Sequence, residues 1–232
     1  MSAVQSYEEK LATLSEGSVR LSFNAFKDIP WDDPAYAIVP DDERWILPTV
    51  DPLGGHEWYR SLPRDRQIEI GMARMANICK VGWQFENVLI KGVMEYLMDV
   101  PNGSPEFRYL MHEVTEETHH IQMFQEFVNR TGADIPGAAG WFRVVQSVLP
   151  VFGRLLPEIF FTGILAGEEP IDHLQKAILR TGGDLHRSSC GSCRSTWPRR
   201  RGTSPSPTSS SPARRRRSTR SARRCCPSPT RS

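Results

Sequence analysis

The stretch TEETHHIQMF, residues 115–124, decides how the chain is read. It contains two overlapping Glu-x-x-His pairs, Glu116 with His119 and Glu117 with His120. On a helix, a carboxylate and an imidazole three residues apart project from one face. Bundles that hold two metal ions take one Glu from each of two helices and a Glu-x-x-His pair from each of the other two. One such pair is a common accident, so the question is which pair points inward and what else joins it.

Helical phase separates the two pairs. Leu110, Val114, Glu117, Ile121, Phe124 and Val128 fall on one stripe, with His120 beside them. Glu116 and His119 share a wetter face with His112, Met123 and Glu126. The phase predicts that Glu117 and His120 point inward, and that Glu116 and His119 face outward or the rim. The helix should begin at Ser104 as N-cap with Pro105 in its first position, and stop at Gly132.

Working outward, a longer helix is predicted from about Arg64. Ile68, Met72, Met75, Cys79, Gly82, Glu86, Leu89, Val93 and Leu97 recur at steps of three and four. Glu86 interrupts that apolar line, where a carboxylate is costly unless it is paired or binds a cation. A third apolar segment covers Trp141–Phe152, and Pro150 is expected to shorten it. A further helix runs from near Pro157 to about Arg180. Its line Phe161, Ile164, Leu165, Glu168, Ile171 places Glu168 inward, while Glu169 aligns with Thr162 and Asp172. Pro170 should bend this helix by removing a hydrogen bond. Strand-like alternation is scarce, so the predicted class is all-α, a helical bundle.

Three segments follow. Residues 1–62 read as a short helix and an irregular wrap pinned by Trp31, Trp45 and Trp58. Residues 63–186 form the bundle. Residues 187–232 hold 13 of the chain's 29 basic side chains and no Asp or Glu, which leaves 16 basic against 27 acidic in residues 1–186, a net charge of −11. That tail also lacks Leu, Ile, Val, Met, Phe and Tyr, so burial cannot offset the entropy of ordering it, and disorder is expected. No apolar run is long enough to cross a membrane and no signal peptide is evident. One cysteine in the body, Cys79, suits a reducing cytoplasm.

A lone Glu on an apolar stripe is most often the partner of an Arg or His. The combination is more specific: inward Glu86, inward Glu117 and His120, and inward Glu168, on three long helices. Together they form half of the two-metal template. Carboxylates can bridge two ions, and imidazoles supply neutral nitrogen ligands.

The segments WQFENVLIKGVMEYL, EETHHIQMFQEFV and GEEPIDHLQKAILR resemble the AurF-like di-iron oxygenases, the p-aminobenzoate N-oxygenase family, over roughly residues 25–186. The resemblance implies a ferritin-like bundle holding two iron ions (manganese is an alternative), O2 as co-substrate and an external reductant. It implies an oxygenase acting on an arylamine or related amine. A hydroxylase or desaturase of a carrier-bound substrate, or a non-catalytic helical scaffold, are the other readings. The implied ligands are Glu86, Glu117, His120 and Glu168, with Glu169 the weaker choice for the last. Met75, Gly82, Phe124 and Phe161 are expected to line the pocket. Expected partners are the small-molecule substrate and an electron donor, with no specific nucleic acid and no membrane; a homodimer is compatible.

The family also requires a final helix carrying His-x3-Glu-x2-His, which this sequence lacks. Codons for Arg187–Ser204, read one base over, permit LVLRQLPFHVAEEARHI. This string contains that motif, beginning across the codons of Ser195 and Thr196, and is amphipathic at helical spacing. At the Trp197–Pro198 junction the shifted residue is forced to be Ala by the genetic code. The expectation is a frameshift near the His186 codon, a C-terminal tail without evolved meaning, and a bundle that is incomplete. The chain as written should bind iron weakly and turn over poorly.

Overall fold

The computed structural model describes residues 6–20 and 22–180. The tail, residues 187–232, lies outside the described residues, and with it the expected disorder and the four tail cysteines. Among the described residues there are helices and turns and no strand. The helices are α1 (Tyr7–Arg20), α2 (Glu57–Arg60), α3 (Arg64–Leu97), α4 (Pro105–Thr131), α5 (Gly140–Val145), α6 (Val151–Leu155) and α7 (Pro157–Arg180).

Local chemistry accounts for the ends. The Ser6 hydroxyl accepts from the Glu9 amide (3.2 Å) and the Glu9 carboxylate accepts from the Ser6 amide (2.9 Å), a reciprocal capping box that starts α1. The Ser104 hydroxyl accepts from the Glu106 amide at 3.2 Å, Pro105 follows, and Gly132 closes α4 at φ +64°. The third apolar segment is not one helix: residues 146–150 form a turn between α5 and α6, and Pro150 sits at the start of α6. Helix α7 continues past Pro170.

The axis of the fold is α3, 34 residues and so about 50 Å long. Helix α4 packs along one side of it, and α6 and α7 along another. Helix α1 covers α4 from a further side. The core therefore has two parts. The larger unites Ile68 and Cys79 of α3 with Met123, Phe124 and Phe127 of α4, and with Ala25, Ile29, Trp31 and Trp45 of the wrap. The smaller gathers Val88 of α3 with Phe160 and Ile164 of α7.

Two of the three expected tryptophan anchors hold. Trp31 and Trp45 are buried, their indole N–H groups donating to the Ala25 and Val39 carbonyls at 2.7 and 2.8 Å. Trp58 instead is 52 % exposed, and its neighbour Tyr59 is the anchor, 1 % exposed. The Tyr59 hydroxyl donates to the Gln67 carbonyl (2.7 Å) and accepts from the Leu47 amide (3.1 Å), which ties the wrap to the start of α3. Asp51, also buried, receives the Arg74 Nε–H at 2.9 Å on both oxygens. The loop after α4 is held by α3 in the same way, Asn77 and Gln84 accepting from the Gly137 and Ala138 amides at 2.9 and 2.7 Å.

Candidate metal centre

Glu86 of α3 and Glu117 and His120 of α4 converge. One ligand-type atom from each lies within 4.8 Å of the others. They come together because α3 and α4 are antiparallel neighbours with only residues 98–104 between them, so the middle of one faces the middle of the other. His120 is buried, and Glu86 and Glu117 are half-buried.

The imidazole is oriented on one side only. His120 Nδ1 lies 2.6 Å from Glu117 Oε2, and with the proton on Nδ1 it donates to that carboxylate. That tautomer leaves a lone pair on Nε2, which is buried and has no hydrogen-bond partner. A buried acceptor left in this state is costly without a water or an ion. Phe23 of the wrap and Phe124 of α4 flank the ring at centroid distances of 5.9 and 6.5 Å, keeping bulk water away. Two carboxylates and an imidazole suit iron, manganese or zinc rather than a soft thiophilic ion. The trio therefore fits one such ion.

Glu168 and Glu169 complete the sequence-predicted set. Glu168 is half-buried on α7 and Glu169 is exposed, and neither joins the converging trio. Of the expected pocket residues, Met75 and Phe124 belong to the larger core, and Gly82 lies under the Phe124 ring. Phe161 sits in the smaller core, edge-on to Tyr96 at 5.5 Å. A cavity of about 650 Å³ lies between α1 and the α3–α4 turn, and its lining includes none of the trio.

The reading of Glu116 as outward is wrong. Glu116 is 3 % exposed and His119 is half-buried, its Nδ1 buried without a hydrogen bond. Helix α1, in addition to α3, packs against α4, and Phe23 meets the His119 ring edge-on at 6.4 Å. Phe23 was missed as a site residue. It is a single aromatic in an irregular segment, and only the fold brings it to the two imidazoles.

Comparison with known proteins gives the family. Residues 4–187 match the family model described as P-aminobenzoate N-oxygenase AurF. The chain belongs to the AurF family. The matched stretch spans every described helix, and the all-α architecture is that of the ferritin-like bundles. Among curated relatives, the uncharacterised protein Rv0885 of Mycobacterium tuberculosis and the uncharacterised protein Mb0909 of Mycobacterium bovis are each 57 % identical over 180 residues. The alignment takes in 78 % of this chain and 53 % of each relative, so the chain spans about half the length of the curated relatives it matches. No solved structure matches the chain significantly. Among the described residues no helix is long and apolar enough to cross a membrane.

Proposed function

We propose that Glu86, Glu117 and His120 are the ligands of one ion of a two-metal oxygenase centre, and that the substrate is an arylamine or related amine. The observations that carry the reading are the convergence of Glu86, Glu117 and His120 to within 4.8 Å and the buried, unpartnered Nε2 of His120. Membership of the AurF family supports an iron-dependent oxygenase; the amine substrate is the finer step. Bound iron would supply the O2 and redox chemistry that side chains lack.

The chain's own residues have separate tasks. Glu117 fixes the tautomer and ring plane of His120, the role a carboxylate commonly plays beside a ligating imidazole. Phe23 and Phe124 exclude water from that imidazole. Glu168 is the side chain of α7 best placed by helical phase to serve a second ion, with Glu169 the weaker choice. Three converging ligands suffice for one ion, so this chain alone should load at most about one equivalent, and weakly.

Titration of the purified chain with Mn(II), followed by electron paramagnetic resonance, tests the assignment. The expected result is substoichiometric to single-equivalent binding that His120→Ala weakens at least tenfold. Binding unaffected by that substitution would overturn the ligand assignment. Two tightly held irons per chain with full arylamine oxidation would overturn the view that the site is incomplete.

A further inference from the structure

The cavity of about 650 Å³ between α1 and the α3–α4 turn has the size of sites that hold small molecules, about 300–1,000 Å³. It is remote from the trio. Leu97, in its wall, follows Glu86 by eleven residues on α3, and Arg108 precedes His120 by twelve on α4. About 16–18 Å of helix therefore separates the two places. One hydroxyl in the wall is unspent. Helix α1 carries three Ser or Thr side chains, at 13, 15 and 18. Thr13 and Ser18 donate to the carbonyls four residues back, at 2.8 and 3.1 Å. Ser15 does not. It lines the cavity and is only 3 % exposed, and its Oγ is buried without a hydrogen-bond partner. A buried hydroxyl in that state is costly unless something in the cavity bonds it.

Two charges in the lining are unspent as well. Arg108 and Glu16 form no ion pair among the described residues, with each other or with any other group. Nearby carboxylates are already taken: Glu106 accepts from Tyr7 and Tyr96, and Asp99 receives Arg154. Helix α4 begins in the cavity wall, so the positive end of its dipole adds to the charge of Arg108. The lining also has an apolar part. Leu97 is buried, whereas Met98 and Phe107 are 70 % and 48 % exposed, large side chains left for a ligand to cover.

The geometry points to a binding site for a free amino acid with a large apolar side chain. Its carboxylate meets Arg108 and the start of α4, and its ammonium meets Glu16. One of those two groups bonds Ser15 Oγ, and the side chain covers Leu97, Met98 and Phe107. A simple anion would leave the repulsion of Glu16 unanswered, and a simple cation that of Arg108, so a molecule carrying both charges matches the lining. The inference is independent of the metal assignment, because the cavity shares no residue with the trio.

The test is calorimetric titration of the full 232-residue chain, free of metal, with L-phenylalanine. Saturable binding is expected, with Kd on the order of 1 mM or tighter. 3-Phenylpropanoate lacks the ammonium and 2-phenylethylamine lacks the carboxylate, and each should bind about tenfold more weakly. Arg108→Gln should weaken L-phenylalanine about tenfold. Glu16→Gln should weaken L-phenylalanine and tighten 3-phenylpropanoate, a reversal that a folding fault would not produce. Both positions are exposed, so the far-ultraviolet spectrum should be unchanged. His120→Ala should leave binding as it is. The proposal is overturned by a lack of saturation up to roughly 10 mM, or by equal binding of the parent and both charge variants. It is also overturned if 3-phenylpropanoate binds the parent as tightly as L-phenylalanine, or if His120→Ala abolishes binding, which would put the ligand at the trio.

Discussion

Replacing Glu86 by Leu should make the metal-free protein more stable while abolishing its response to metal. Without an ion, Glu86 and Glu117 are half-buried carboxylates whose ligand atoms lie within 4.8 Å. Two full negative charges at that distance repel by about 3 kcal/mol at an effective dielectric near 20. Glu86 also has an interaction of its own, and losing it costs about 1 kcal/mol. Leu removes the repulsion and adds apolar contact on a stripe that already holds Val93 and Leu97. The net gain should be about 2 kcal/mol, or roughly 4–8 °C in Tm for a chain of this size. The assay is thermal unfolding with and without Mn(II). The parent should gain about 2.7 kcal/mol at a hundredfold excess over Kd, and Glu86→Leu should gain nothing. If Glu86 were the partner of a buried cation, Leu would lower the metal-free Tm. A lowered Tm, or a preserved Mn(II) shift, refutes the argument.

The remaining predictions concern the frame around the site. Tyr7 and Tyr96 both donate to Glu106 Oε1, at 2.9 and 3.0 Å, and burial followed by that carboxylate pushes the Tyr96 hydroxyl up to about 12. The raised folded-state value means this contribution is whole below pH 10 and is lost as pH rises towards 12. Tyr96→Phe should therefore flatten the fall in Tm between pH 10 and 12. Asp51→Ala leaves Arg74 without its carboxylate and removes the acceptor for the Leu53 amide, so a loss of about 3 kcal/mol is expected in denaturant unfolding. Gly153→Ala places a Cβ 2.2 Å from the Gly92 carbonyl oxygen, and should cost about 1–3 kcal/mol by pushing α6 off α3. Circular dichroism with urea titration checks both.

What the sequence made legible was local. The caps of α4 could be read because Ser104, Pro105 and Gly132 act on backbone groups within a few residues. Glu86 stood out because a carboxylate on an apolar stripe has a cost that demands a partner. The errors came from packing between distant segments. Glu116 was misjudged because phase weighs faces against one neighbour, whereas α4 has two, α3 and α1. Trp58 and Tyr59 are adjacent on a four-residue helix too short to show a period, so nothing local said which one turns inward. Phe23 reaches His120 across almost a hundred positions from a segment with no repeat at all.

The same distinction bears on why the trio forms in this chain. Glu86, Glu117 and His120 sit on consecutive helices joined by a short turn, so their convergence needs no contact from beyond α4. A hairpin of this kind closes cheaply and early, because few residues separate its contacts. On the proposed metal reading, organisation of these three side chains is then not what should limit binding. Their number should be the limit, and affinity should rise with each further ligand brought to the proposed site, whether from Glu168 or from polypeptide supplied in trans.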